Sequence, residues 1–235
     1  MAATRAGHPA AQGMLGWMQA HPERLRALLD DEASGAEDLG PAGDPAVRAH
    51  LRFVAEALAA TAAPAAAPAL EGFARDLPAH LAEREDRVDE EMRRVGEAHA
   101  FEADLQFGAG AGEDPAMQGL LDRRVRVAAW TRVFLAALDE ARASAPPVAP
   151  AAREWMGARQ VQLADTIFAM DRRAKQAEID RGGPDAVASA ETANRIGQAA
   201  TVQAHTRFLV EGLAAVLTAR STPASSGPPR PPRRR

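Results

Sequence analysis

The chain of 235 residues contains no cysteine and no tyrosine, a single lysine, Lys175, and three isoleucines, Ile167, Ile179 and Ile196. Each scarcity removes chemistry. Without thiols there are no disulfides and no thiolate metal sites, and thiol or phenol catalysis has no candidate. A Schiff-base lysine has one candidate, Lys175. Aromatic residues make up 4% of the chain, so strand formers are scarce, while alanine fills about a quarter of the positions. A mixture so rich in good helix formers predicts an all-α protein built on Leu, Met, Val and Ala seams. The net charge of −4 and pI near 5.9 argue against a body that tracks nucleic acid, because phosphate binding needs a basic face. Any such contact is confined to the arginines at the end of the chain. No continuous apolar run of membrane-spanning length occurs, and Met1 to Met18 is interrupted by glycine and polar residues. The cytoplasm is therefore the expected compartment.

Helical periodicity with proline and glycine punctuation predicts a bundle of about six helices. The first runs from about Ala10 to Asp30 and is kinked or split at Pro22. Asp44-Pro45 reads as an N-cap followed by proline at the first helical position, opening a stripe of Val47, Leu51, Val54 and Leu58. A long pattern then carries Leu70 through Val95 towards Phe107, with Pro78 expected to break or bend it early. Within it, Glu83 precedes Arg87, Asp89 precedes Arg93 and Glu90 precedes Arg94 by four residues, the pattern of a solvated face laced with weak ion pairs.

The loop Gly108-Ala109-Gly110-Ala111-Gly112 lacks the preceding strand and the spacing of a dinucleotide fingerprint, and reads as a connection. Asp114-Pro115 opens another helix reaching about Ser144, and Pro146-Pro147 through Pro150 separates the last part of the chain. There, Met156, Leu163, Ile167, Met170, Ala174 and Ala177 lie on heptad-like steps. Val202, Thr206, Leu209, Leu213 and Val216 do the same after the turn at Gly182-Gly183-Pro184. The expectation is an N-terminal bundle over 1–144, a long antiparallel hairpin over 151–219 packing on it or on a partner, and a disordered Pro/Arg tail over 220–235.

Two function classes compete. The first is a helical interaction protein, an adaptor or accessory subunit binding another helix or itself through Ala/Leu/Met faces. Its candidate contact residues are Trp155, Met156, Leu209 and Leu213, with Arg230, Arg233, Arg234 and Arg235 in the tail. The tail arginines are also the only route to weak nucleic-acid contact. The second is a metal- or small-ligand-binding bundle, with iron, manganese or zinc held in part by His80 and Glu83, or by His99 and Glu102. These pairs are alternatives, since 19 residues of continuous helix separate them by roughly 28 Å. Nucleophilic catalysis finds no Gly-x-Ser-x-Gly elbow. Polar side chains from three or more helices converging on an enclosed cavity would defeat the first reading.

The ten residues from Leu77 to Asp86 are similar to the second-helix segment of hemerythrin-like bundles, where a histidine precedes a run of acids. That resemblance implies a di-iron site. The family pattern places a carboxylate four positions after the histidine, where this chain has Arg84, so the resemblance implies a degenerate site. Trp155-Met156-Gly157 is similar to the Trp-x-Gly turn of small helical hairpins exported by ESX-type systems, whose tyrosine-based signal this chain cannot carry. Neither likeness assigns a family.

Overall fold

The computed structural model describes residues 9–35, 43–107, 115–142 and 145–219, with 97–107, 115–121 and 218–219 as backbone only. Among these residues every regular element is helical. They form α1 (Pro9–Ala20), α2 (Pro22–Ser34), α3 (Pro45–Ala60), α4 (Ala67–Ala82), α5 (Glu85–Phe107), α6 (Pro115–Ala141), α7 (Ala149–Gly157), α8 (Gln160–Gly182) and α9 (Ala190–Ala219). The fold is an all-α multi-helix bundle, with more segments than the six expected.

The additional segments have local causes. Pro22 does split the first pattern, and it opens α2 at the first helical position. Pro78, in contrast, is carried inside α4, and the break comes later at Glu83-Arg84. Proline removes one N–H and crowds the carbonyl four residues back, here that of Ala74, yet α4 continues for a further turn to Ala82. The last helical pair is in fact three helices, because α7 stops at Gly157 and α8 restarts at Gln160. Asp139 holds α7 in place: its two carboxylate oxygens accept the Val148 and Ala149 N–H groups at 2.5 and 3.0 Å. Asp44 caps α3 as its position before Pro45 suggests, accepting the Val47 N–H at 3.1 Å.

At the hairpin turn Gly183 adopts φ +82°, a region open to glycine, and its N–H closes α8 on the Ile179 carbonyl at 2.8 Å. A single 3-10 turn (Pro184–Val187) follows, and Ser189 Oγ accepts the Thr192 N–H at 3.1 Å to start α9.

Two helices are enclosed. In α3 nearly every residue from Val47 to Ala59 is buried, and α1, α2, α4, α6 and α9 surround it. In α9 most residues from Ala200 to Val216 are buried against α1, α3, α6, α7 and α8, while Gln203 and Arg207 keep one edge in water. A helix buried around most of its circumference is a core pillar rather than one flank of a seam. One continuous core joins Trp130, Phe134 and Leu138 of α6 to Phe73 and Leu77 of α4 and to Leu209 and Leu213 of α9.

α8 is the opposite case. Only Leu163 and Ile167 are buried on it, and Ala174 and Ala177, at later steps of the same seam, are exposed. No helix among the described residues is long and apolar enough to cross a membrane.

Candidate functional site

His80 and Glu83 lie at the end of α4, where both face Arg84 Nη1, His80 Nδ1 at 3.2 Å and Glu83 Oε2 at 3.9 Å. The Arg84 guanidinium donates to His80 Nδ1 at 3.2 Å, so a cation occupies the position a metal would need. Arg84 reaches Glu140 on α6 as well, and the Glu83 side chain is exposed. No group of three or more histidine, aspartate or glutamate side chains suited to a metal occurs among the described residues. His99 and Glu102 fall in α5 where side chains lie outside the described residues, as do Arg230, Arg233, Arg234 and Arg235.

Trp155, Met156, Leu209 and Leu213 serve the inside of the molecule. Leu209 and Leu213 are fully buried and Met156 nearly so. Trp155 packs on Phe208 of α9 with ring centroids 5.0 Å apart, and the Arg159 guanidinium lies 4.3 Å from its ring centre. A Cβ at Gly212 would stand 3.2 Å from Trp155 and 3.4 Å from Met156, so α7 and α9 touch through a glycine. These four residues join helices of the same chain, and a partner would have to dock elsewhere.

Two buried ionic pairs fix the N-terminal half. Glu32 Oε2 of α2 is ion-paired with Arg48 Nε of α3 at 2.7 Å, Glu32 Oε1 accepts Arg52 Nη1 at 2.8 Å, and the Arg48 guanidinium lies 5.9 Å from the Trp130 ring centre. Asp44 faces Arg123 of α6 at 2.8 Å. Between these groups His50 is buried with its Nδ1 donating to the Ala46 carbonyl at 2.7 Å and its Nε2 without a hydrogen-bond partner among the described residues. Burial pushes the His50 pKa below its ordinary value, and the nearby Arg123 adds to this. The cluster is a neutralised joint between α2, α3 and α6. The stripe Val47, Leu51, Val54 and Leu58 gives no sign of it, because the charged partners come from α2 and α6.

Two surfaces remain open to a ligand or partner. A cavity of about 100 Å³ lies between α5, α6, α7, α8 and α9, and polar side chains from four helices enter it: Thr131, Arg132, Arg153, Gln160 and His205. The other is the outer face of α8, where Val161 is 68% and Phe168 58% exposed, the two large apolar side chains left in water among the described residues. Beside that face are two clefts between α8 and α9. One, of about 280 Å³, includes Asp165, Arg173 and Phe208, and one of about 260 Å³ includes Ile167, Phe168 and Lys175.

No family model matches the chain, and no curated protein or solved structure matches it either. The functional reading therefore rests on these surfaces.

Proposed function

We propose that this chain is a helical interaction protein, an adaptor or accessory subunit acting in the cytoplasm, which receives an amphipathic helix of another protein on the outer face of α8. The observation that carries the reading is the pair Val161 and Phe168, the two exposed large apolar side chains among the described residues. Seven residues apart on one helix, they point within about 20° of each other and form one stripe. Covering a side chain of this size is worth about 1.5–3 kcal/mol. The two clefts along α8 offer sockets for the side chains of an incoming helix.

A second copy of the chain is a poor occupant. An antiparallel two-fold pair that sets Val161 on the other copy's Phe168 also brings Asp165 against its own counterpart. A parallel pair would stack Asp171 on Asp171 and Lys175 on Lys175. Like charges in register are destabilising. The partner helix is therefore expected to carry apolar residues one heptad apart and a basic residue opposite Asp165, which is exposed and forms no ion pair among the described residues.

The test begins with a photo-crosslinking residue at position 168, with position 26 on α2 as control. The protein recovered is then purified and titrated against the parent chain and Phe168→Glu. The expected result is an adduct at 168 alone and a Kd raised by about tenfold or more in the variant, equivalent to about 1.4 kcal/mol, at unchanged helical circular dichroism. Equal adducts at both positions, or equal affinity for parent and variant, would reject the reading.

A further inference from the structure

We infer that the helix received by α8 carries two opposite charges one heptad apart, a basic residue against Asp165 and an acidic residue against Arg172, and that this pair fixes the register of docking. The inference rests on the reading of α8 as a docking face and narrows the chemistry of its partner. Val161, Asp165, Phe168 and Arg172 follow one another at steps of four, three and four, so they share one stripe of the helix, and all four are exposed. Neither Asp165 nor Arg172 forms an ion pair among the described residues, and the sequence shows why. Three and four residues away from Asp165 stand Val161, Gln162, Phe168 and Ala169, and around Arg172 stand Phe168, Ala169, Lys175 and Gln176. No opposite charge is within helical reach of either.

The charges beside the stripe are already matched. Lys175 holds Asp171 at 2.8 Å, and Arg207 of α9, which lines the same cleft as Asp165, holds Glu211 at 3.0 Å. Compensation for Asp165 and Arg172 must therefore come from another chain. A helix laid over Phe168 takes water from one side of both, about 10 Å apart along the axis. A like charge opposite either is then repelled, and an opposite charge replaces the lost water, so the pair selects both partner and register. A second copy cannot meet both demands. In the two-fold register that sets Asp165 on Arg172, Phe168 meets Phe168, but Val161 lies level with Lys175 and Gln176, and the apolar stripe is left unmatched.

The probes are three synthetic amphipathic helices with leucines one heptad apart, identical except at two flanking positions that carry Lys and Glu, Lys and Lys, or Glu and Glu. Each is titrated by fluorescence anisotropy against the full chain and against Arg172→Glu, Asp165→Lys and Phe168→Glu. All three sites are exposed, so the variants should keep the parent's circular dichroism. The parent should bind the mixed peptide about tenfold more tightly than either other. Arg172→Glu should turn the preference to the Lys/Lys peptide, Asp165→Lys to the Glu/Glu peptide, and Phe168→Glu should weaken all three. Equal affinities in the parent, a preference unmoved by the two charge reversals, or no saturable binding of any peptide would overturn the inference. Affinities that ignore Phe168→Glu would instead reject α8 as the docking face. A parent dimer in light scattering that Arg172→Glu dissociates would make a second copy the occupant and overturn the inference as well.

Discussion

His21, His50 and His205 each place Nδ1 within 2.7 to 2.8 Å of the carbonyl four residues earlier, on Trp17, Ala46 and Thr201. A carbonyl can only accept, so Nδ1 carries the proton in all three, and the rings are bound to their own helices before any ligand is considered. Nothing in the one-dimensional pattern marks this. Spacing does not place a histidine inside, yet His50 and His205 are buried. The discrepancy arises because α3 and α9 are enclosed, which depends on helices far away in the chain. For His50 the consequence can be measured. Its pKa is lowered in the folded state, chiefly by burial, so between its ordinary value of 6.5 and the lower folded value the unfolded chain binds more protons. Stability from this group is complete above pH 6.5 and drains as pH falls below it. The melting temperature should therefore drop between about pH 7 and pH 5 more steeply in the parent than in His50→Gln, and equal slopes would contradict this account. The neighbouring Glu32 is shared by two arginines and almost fully buried. Glu32→Gln strands Arg48, while Arg52 keeps Asp31, and should cost about 3–5 kcal/mol in urea unfolding. A loss below about 1 kcal/mol would show that the pair is hydrated.

Element boundaries were readable where a residue acts on its own backbone. Asp44-Pro45, Pro22 and the Gly183-Pro184 turn do so, and each stands at a helix boundary. Pro115 also opens α6, while Asp114 lies outside the described residues. Boundaries set by tertiary contact were not readable. The break at Glu83-Arg84 comes where Arg84 turns across to Glu140 on α6, and Arg87 reaches the same carboxylate at 3.9 Å. The charged run that periodicity reads as a solvated face thus also ties α5 to α6, with Glu91 meeting Arg132 in the same way. Of the expected i,i+4 pairs in that run, Glu90 with Arg94 is formed. The separation of α7 from α8 likewise follows from packing, since Trp155 and Met156 are drawn onto α9 at Gly212. Replacing Gly212 by leucine inserts atoms where Trp155 already stands 3.2 Å from a Cβ. The expected cost is about 1–3 kcal/mol by thermal denaturation, with α7 losing hydrogen-exchange protection first. A leucine variant as stable as the parent would mean that α7 can move aside freely.

For the whole molecule, an all-helical bundle followed directly from composition, because a chain this poor in strand formers has no second option. Which helix is inside did not. The stripe Val202, Thr206, Leu209, Leu213 and Val216 describes one face of α9, yet residues between these positions are buried as well, so α9 is a pillar and its apolar face is not a docking surface. α8, of similar periodicity, runs along the outside with half of its seam uncovered. Alanine hides the difference: it satisfies a core position and a solvent position equally, so a stripe of small residues does not say which side faces water.

The division between an interior α9 and an exterior α8 is the central claim, and equilibrium urea unfolding of the double variant Val161→Glu/Phe168→Glu tests it most directly. Exposed positions predict an unfolding free energy within about 0.5 kcal/mol of the parent, where Leu213→Ala on α9 should lose about 2–5 kcal/mol. A loss of about 2 kcal/mol or more in the α8 double variant would mean that Val161 and Phe168 belong to the core and that no free apolar stripe exists for a partner.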